Sequence, residues 1–215
     1  MASSIIGILG GTFDPVHRGH LHVAFQVLTL LDPAEVQFMP CAQPVHRDPP
    51  CASGEHRLAM LELALAGHPR FRVNPLEIER GGPSYSVDSL RQLRALGEAP
   101  LALILGSDAF NAFPRWKDPD QVLELAHLVV CHRPGASLDE ALYRERRVVA
   151  ASELAHRPAG SILVLEIEAN HCASSDLRAR IAANDSTEDC LAAGVAGYIH
   201  QHHLYRQARS VEVNR

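Results

Sequence analysis

Lysine is almost missing from this chain. Lys117 stands alone, and every other cation among the 20 Lys and Arg residues is arginine. A Walker-type phosphate loop requires Gly-x-x-x-x-Gly-Lys-Ser/Thr, whereas Lys117 sits in Arg-Trp-Lys-Asp-Pro. A Schiff-base lysine would have to be this one residue. Any phosphate handled here must meet arginine, histidine, backbone N–H groups or a metal. Positive charge is short overall as well. Against 25 Asp and Glu the formal net charge is -5, which provides no basic face for nucleic acid. Long apolar runs are absent too. The stretch 21–31 is interrupted by His22, Gln26 and Thr29 and falls short of the ~20 residues of a membrane span. The N-terminus has no basic region ahead of its short apolar run, so no signal peptide is expected. There is no Cys-x-x-Cys. Cys41, Cys51, Cys131, Cys172 and Cys190 are odd in number and scattered, which predicts reduced thiols in a cytoplasmic protein.

What is present is a core. A hydrophobic fraction of 47% over 215 residues argues against disorder and favours a single domain, residues 1–215. Wholly apolar runs alternate with segments of helical spacing. Strands are predicted at 5–9, 35–39, 71–73, 101–105, 128–131 and 162–167. Helices are predicted at 18–31, 55–66, 86–96, 119–126, 138–154, 174–183 and 195–204, with Leu58, Leu61 and Leu65 forming the buried stripe of the second. Residues 81–84 are expected to be a turn. Strands apolar on both faces that alternate with helices predict an α/β fold, a Rossmann-like doubly wound parallel sheet. A small helical C-terminal part is expected from about residue 174. Ligands of such sheets lie beyond the carboxyl ends of the strands, where the strand order reverses.

The first strand–helix junction reads Gly10-Gly11-Thr12-Phe13-Asp14-Pro15-Val16-His17-Arg18-Gly19-His20. Paired glycines at a strand end admit close approach of a ligand to the backbone, and the helix start that follows suits an anion. His17 and His20 are three apart and can face the same phosphates. A turn with two surface histidines is the plain alternative. A metal site is another, but no third ligand stands at the usual spacing. The string is not Gly-x-Gly-x-x-Gly, so a dinucleotide dehydrogenase is disfavoured.

This junction resembles the nucleotidyltransferase signature Gly-Gly-x-Phe-Asp-Pro-x-His-x-Gly-His, and the chain is most similar to the bacterial nicotinate-nucleotide adenylyltransferases. Further elements occur in the same order: Pro-Ser-Tyr-Ser at 83–86, Leu-Gly-Ser-Asp at 105–108, Phe-Pro-x-Trp at 113–116, His-Arg-Pro-Gly at 132–135, Ser-Ser-x-Leu-Arg at 174–178 and Tyr-Ile…Leu-Tyr-Arg at 198–206. The resemblance implies adenylyl transfer from ATP to nicotinate mononucleotide, giving deamido-NAD and pyrophosphate, with Mg²⁺ carried mainly on the ATP phosphates. It implies ATP contacts from Gly10, Gly11, Thr12, Phe13, His17, His20, Gly106, Asp108, Arg133, Ser174, Ser175 and Arg178. His17 and His20 are the expected catalytic pair, and Asp14 is expected to fix the loop rather than bind metal. His46, Arg47, Tyr85, Ser86, Trp116 and Lys117 are the expected contacts for the mononucleotide. Partners are thus small nucleotides, without nucleic acid or membrane, and a homo-oligomer is compatible with the resemblance.

The chain departs from the family pattern in places. Cys41 replaces a common Asn, Val45 interrupts Pro-Pro-His, Ala173 and Ser175 alter the Ser-Ser-Thr element, and Ala192 and Gly194 stand where prolines usually precede the last helix. Rival readings are a sister enzyme acting on nicotinamide mononucleotide or phosphopantetheine, a nucleotide-binding protein without catalysis, and a metal-dependent hydrolase using some of the 13 histidines.

Overall fold

The computed structural model describes residues 5–45, 48–97 and 99–206. Its elements, in chain order, are β1 (Ile6–Gly11), α1 (Arg18–Leu31), β2 (Glu35–Pro40), β3 (Gln43–Pro44), α2 (Gly54–Leu65), β4 (Phe71–Val73), α3 (Leu76–Arg80), β5 (Pro83–Ser84), α4 (Ser86–Leu96) and β6 (Leu101–Gly106). Then come α5 (Ser107–Ala112), α6 (Pro119–Leu125), β7 (His127–His132), β8 (Arg147–Val148), β9 (Ile162–Glu166), α7 (Ser174–Ala183) and α8 (Ala193–Gln201). Seven strands form a parallel sheet in the order β4-β2-β1-β6-β7-β9-β8.

The apolar strands are buried on both faces, and their alternation divides the core in two. Ala102 and Ile104 of β6 join Val129 of β7, Phe38 of β2 and Leu163 of β9 on one side. Leu103, Leu105, Leu128 and Val130 face the other way, with Phe110, Phe113 and Leu90. This is the period-2 geometry of a strand covered by helices on both sides. α7 and α8 send Leu177, Val195 and Ile199 into the first of these layers.

Chain order sets the position of the site. β1 pairs with β2 on one side, Gly11 opposite Pro40, and with β6 on the other, Leu9 opposite Ile104. From β1 the chain runs outward through β2 to β4, then returns and runs outward through β6, β7 and β9. The order reverses at β1/β6, so the crevice lies beyond Gly11 and Gly106.

Three expectations need correction. The predicted helix over 138–154 does not form. That stretch consists of turns, a 3-10 turn at Arg144–Arg146, the edge strand β8 and a second 3-10 segment at Ala151–His156. Leu138, Leu142 and Tyr143 pack on one layer of the core and Val148 on the opposite layer, and one straight helix cannot serve both sides of a sheet. The expected turn at 81–84 holds only at Gly81 and Gly82, both with positive φ. Pro83–Ser84 instead pairs with Gln43–Pro44 in a small parallel sheet. Two of the five cysteines are not free thiols. Cys172 and Cys190 form a disulfide across a Cα–Cα distance of 5.5 Å, because the fold brings the approaches to α7 and α8 together.

Candidate active site

The loop from Thr12 to His17 is held from three sides. The buried Asp14 carboxylate accepts from the N–H groups of Cys51 (2.7 Å) and Ala52 (3.1 Å) and from the Tyr205 hydroxyl (2.7 Å). Burial and the Asp14 charge both push that hydroxyl's pKa up. Asp14 therefore fixes the loop, as expected. From α7, Ser174 donates to the Pro15 carbonyl (3.0 Å) and Arg178 to the Asp14 carbonyl (2.8 Å). In this arrangement these two members of the expected ATP set grip the loop after β1 itself, while Ser175 stands exposed beside them. From below, the buried Arg57 guanidinium donates to the carbonyls of Thr12 (2.9 Å) and Cys41 (2.7 Å).

Two glycines are dictated by the histidine pair and its neighbour. A Cβ at Gly11 would lie 3.0 Å from the Phe13 ring, and one at Gly19 would lie 2.9 Å from Nδ1 of His17 and 3.0 Å from the Cys172 carbonyl. Gly19 thus gives the His17 ring room to lie over the first turn of α1, where it stacks on His20 with centroids 3.7 Å apart. His17 is the N-cap residue, and its N–H donates to Nδ1 of His20 (3.3 Å). That bond puts the proton of a neutral His20 ring on Nε2, so His20 presents an N–H donor. Both rings line a crevice of about 220 Å³ together with Leu9, Gly106 and Arg133. Gly10 and Gly106 are exposed at the two strand ends, and Asp108 is exposed in the first turn of α5.

Burial lowers the His17 pKa to about 4, and its Nδ1 has no hydrogen-bond partner among the described residues. In the unfolded chain the same group titrates near about 6.5. As pH falls from about 6.5 to about 4, the unfolded state gains a proton that folded His17 refuses, so stability is lost across that window and is intact above it. The full drop corresponds to about 3 kcal/mol. The urea midpoint of the ligand-free protein is expected to fall over this range, and His17→Gln is expected to flatten that part of the profile.

β5 leads into α4, whose N-cap is Tyr85 and whose first residue is Ser86. The Ser84 hydroxyl accepts from Ala42 N–H (2.9 Å), which ties this helix start to the loop after β2. Lys117 sits over the Tyr85 ring at 4.6 Å and pairs with Asp88 at 2.9 Å. Trp116 is half-buried, edge-on to Phe113 at 5.5 Å. The fold thus gathers Tyr85, Ser86, Trp116 and Lys117 into one neighbourhood. His46 and Arg47 lie outside the described residues.

Sequence reasoning missed Arg57. The buried stripe of α2 is Arg57, Met60, Leu61, Ala64 and Leu65, and Leu58 is only half-buried. The clue was available, because Arg57 stands three and four residues before Met60 and Leu61 on the apolar face. Sequence reasoning also missed the meeting of Cys172 with Cys190, for which spacing gave no signal.

Comparison with known proteins places this geometry in a family. The cytidylyltransferase-like family profile matches residues 8–180. A probable nicotinate-nucleotide adenylyltransferase of Methylococcus capsulatus is 42% identical over 208 residues, covering 94% of this chain and 99% of that protein. One from Marinobacter nauticus is 45% identical over 186 residues, covering 83% and 86%. Among solved structures, the Plasmodium falciparum nicotinic acid mononucleotide adenylyltransferase complexed with NaAD superposes with a TM-score of 0.73 at 17% identity, covering 94% of this chain and 97% of that one. Its complex with APC gives 0.72. The fold is therefore shared well beyond sequence similarity. The chain belongs to the nicotinate-nucleotide adenylyltransferases of the cytidylyltransferase-like family.

Proposed function

We propose that this chain transfers the adenylyl group of ATP to nicotinate mononucleotide, forming deamido-NAD and releasing pyrophosphate. The observation that carries this reading is the stacked His17–His20 pair at the start of α1, lining the crevice at β1/β6. A mononucleotide phosphate has a second pKa near ~6 and is largely dianionic at neutral pH. It can attack the α-phosphorus directly and in line, with no covalent intermediate and no general base. The work left for the protein is alignment and charge stabilisation. His20 supplies an N–H, Arg133 supplies a guanidinium, and the backbone beyond Gly10 and Gly11 supplies amide donors at the strand end.

Magnesium enters this reading as part of the nucleotide. The crevice lining brings His17, His20, His22 and Arg133 together with a single acidic residue, Glu168, and the Asp14 carboxylate is already engaged by two N–H groups and Tyr205. That donor set fits a cation carried on ATP oxygens rather than one held by the protein. Such an ion would neutralise charge on the departing pyrophosphate.

The start of α4 accounts for preference between acid and amide. Unpaired N–H groups and the helix dipole favour the nicotinate carboxylate over a neutral carboxamide. Trp116 offers a face to the pyridine ring. Trp116→Ala is expected to raise KM for the mononucleotide about fivefold to tenfold, the equivalent of about 1 kcal/mol of aromatic contact, with KM for ATP little changed. The reading also carries a cytoplasmic location, where ATP is supplied. Its decisive test is pyrophosphate release with ATP and Mg²⁺. Turnover with nicotinate mononucleotide and weak turnover with the amide is the expected result. Turnover with phosphopantetheine alone would move the chain to a sister activity. ATP binding without turnover on any acceptor would leave a binding protein.

A further inference from the structure

The disulfide does not stand alone. His171 and Cys172 precede α7, Asp189 and Cys190 precede α8, and all four side chains converge. Nε2 of His171 lies 3.3 Å from Oδ2 of Asp189, 3.5 Å from Sγ of Cys190 and 4.0 Å from Sγ of Cys172. Sγ of Cys190 lies 3.6 Å from Oδ2 of Asp189. A bridge that served only to join two loops would need neither an imidazole nor a carboxylate against its sulfurs.

These spacings have a chemical meaning. Zinc sits about 2.3 Å from a thiolate, about 2.0 Å from an imidazole nitrogen and about 2.0–2.2 Å from a carboxylate oxygen. In a tetrahedron, such bonds place the ligand atoms about 3.3–3.8 Å from one another. The four separations above lie in or close to that range. The ligand atoms of His171, Cys172 and Cys190 all lie within 4.8 Å of one another, the two sulfurs being bonded, and Asp189 approaches His171 and Cys190. Arg180 adds an outer partner, because its guanidinium holds the Asp189 carboxylate in place, the arrangement that orients metal-binding carboxylates. Two sulfurs, one nitrogen and one oxygen select a thiophilic divalent cation of the zinc class over Mg²⁺ or Ca²⁺.

We propose that His171, Cys172, Asp189 and Cys190 form a second, non-catalytic site that binds a zinc-class divalent cation when the Cys172–Cys190 bridge is reduced and releases it when the bridge forms. Reduction by a dithiol breaks the S–S bond. Two electrons and two protons pass to the cysteines, and the dithiol becomes a disulfide. Cation binding then displaces the two thiol protons to solvent. In the reverse direction a hydroperoxide takes two electrons from the thiolates. Its O–O bond breaks and, with two protons, yields an alcohol and a water, or two waters where the oxidant is hydrogen peroxide. The S–S bond re-forms and the cation leaves. The site adjoins the phosphate loop, because the Cys190 carbonyl accepts from Arg18 N–H at 2.8 Å and the Cys172 carbonyl lies against Gly19.

The test is titration of the phosphine-reduced full chain with Co²⁺ and then Zn²⁺ under anaerobic conditions, with alkylation and mass spectrometry to count thiols. One equivalent of Co²⁺ giving a sulfur-to-metal charge-transfer band is expected, displaced by Zn²⁺. Cys172→Ser/Cys190→Ser should weaken binding at least 100-fold. His171→Ala, at an exposed position, should weaken it about tenfold without disturbing the fold. Hydrogen peroxide should release the cation and restore the bridge. Binding by the reduced wild type no tighter than by the double variant would overturn the proposal. So would a bridge that resists reduction in the folded chain. Neither outcome bears on adenylyl transfer, which is assayed separately.

Discussion

His20→Ala is expected to lower kcat about 10²- to 10³-fold while KM for ATP moves by less than about fivefold. The size is that of removing one preorganised donor from a site where charge develops in the transition state. The direction follows from geometry. With Nδ1 accepting from the His17 N–H, a neutral ring carries its proton on Nε2; the residue lines the crevice, and its plane is fixed by the stack on His17 and an edge contact with Phe13 at 4.9 Å. A donor locked in this way needs no reorganisation as negative charge moves onto the phosphate oxygens. Ground-state ATP also meets Arg133 and the backbone beyond Gly10 and Gly11, so its binding has other supports.

The same hydrogen bond makes His20 a helix-capping residue, and capping losses run to about 1 kcal/mol. A fall in kcat alone could therefore be confused with a loosened helix start. His20→Asn separates the two roles. Its side-chain oxygen can still accept from the His17 N–H, but it places no donor where Nε2 stands. Stability close to wild type combined with the full loss of kcat would assign the donor role. Steady-state kinetics alongside urea melts of both variants decide the matter. If ATP affinity falls and kcat holds, His20 serves ground-state binding instead.

Local chemistry made much of this legible from sequence. Parallel strands buried on both faces must be apolar throughout, so β1, β6 and β7 stood out as runs, and Gly11 and Gly106 marked their ends. The helix start at Ser86 was legible because Pro-Ser-Tyr-Ser leads into a regular apolar stripe. Features that depend on distant residues left weaker traces. The pairing of Gln43–Pro44 with Pro83–Ser84 is too short to show a period. The segment 138–154 carries a pattern compatible with a helix, and only the need to pack on both layers of the core prevents one. Cys172 and Cys190 are separated by 18 positions, and nothing near either residue names the other. The contacts of Ser174 and Arg178 with the loop after β1 were not legible. Their motif pointed to the ATP phosphates, and the bonds to the Pro15 and Asp14 carbonyls depend on where α7 docks.

Arg57→Leu is expected to destabilise the folded chain by about 3 kcal/mol or more, and to raise KM for ATP. Arg57 is 2% exposed, and its guanidinium serves carbonyls from three segments: Thr12 in the loop after β1, Cys41 after β2 and Ala52 before α2. Replacing a buried ion pair with apolar residues is often harmless, since both charges disappear together. Here the acceptors are backbone carbonyls, which no side-chain substitution removes. Each one left dry costs about 1–3 kcal/mol, against which the better burial of a leucine returns about 1.5–3 kcal/mol. With three carbonyls exposed to this penalty the balance is unfavourable, and for a chain of this size it corresponds to a fall in Tm of about 6–12 °C. Arg57→Lys should recover part of the loss, because an ammonium reaches one or two of these oxygens but lacks the planar fork that spans all three segments. Thermal and urea melts of the two variants give the order wild type, Lys, Leu if this account holds. A leucine variant as stable as wild type would mean that water reaches these carbonyls, and that the phosphate loop is held by Asp14 and α7 alone.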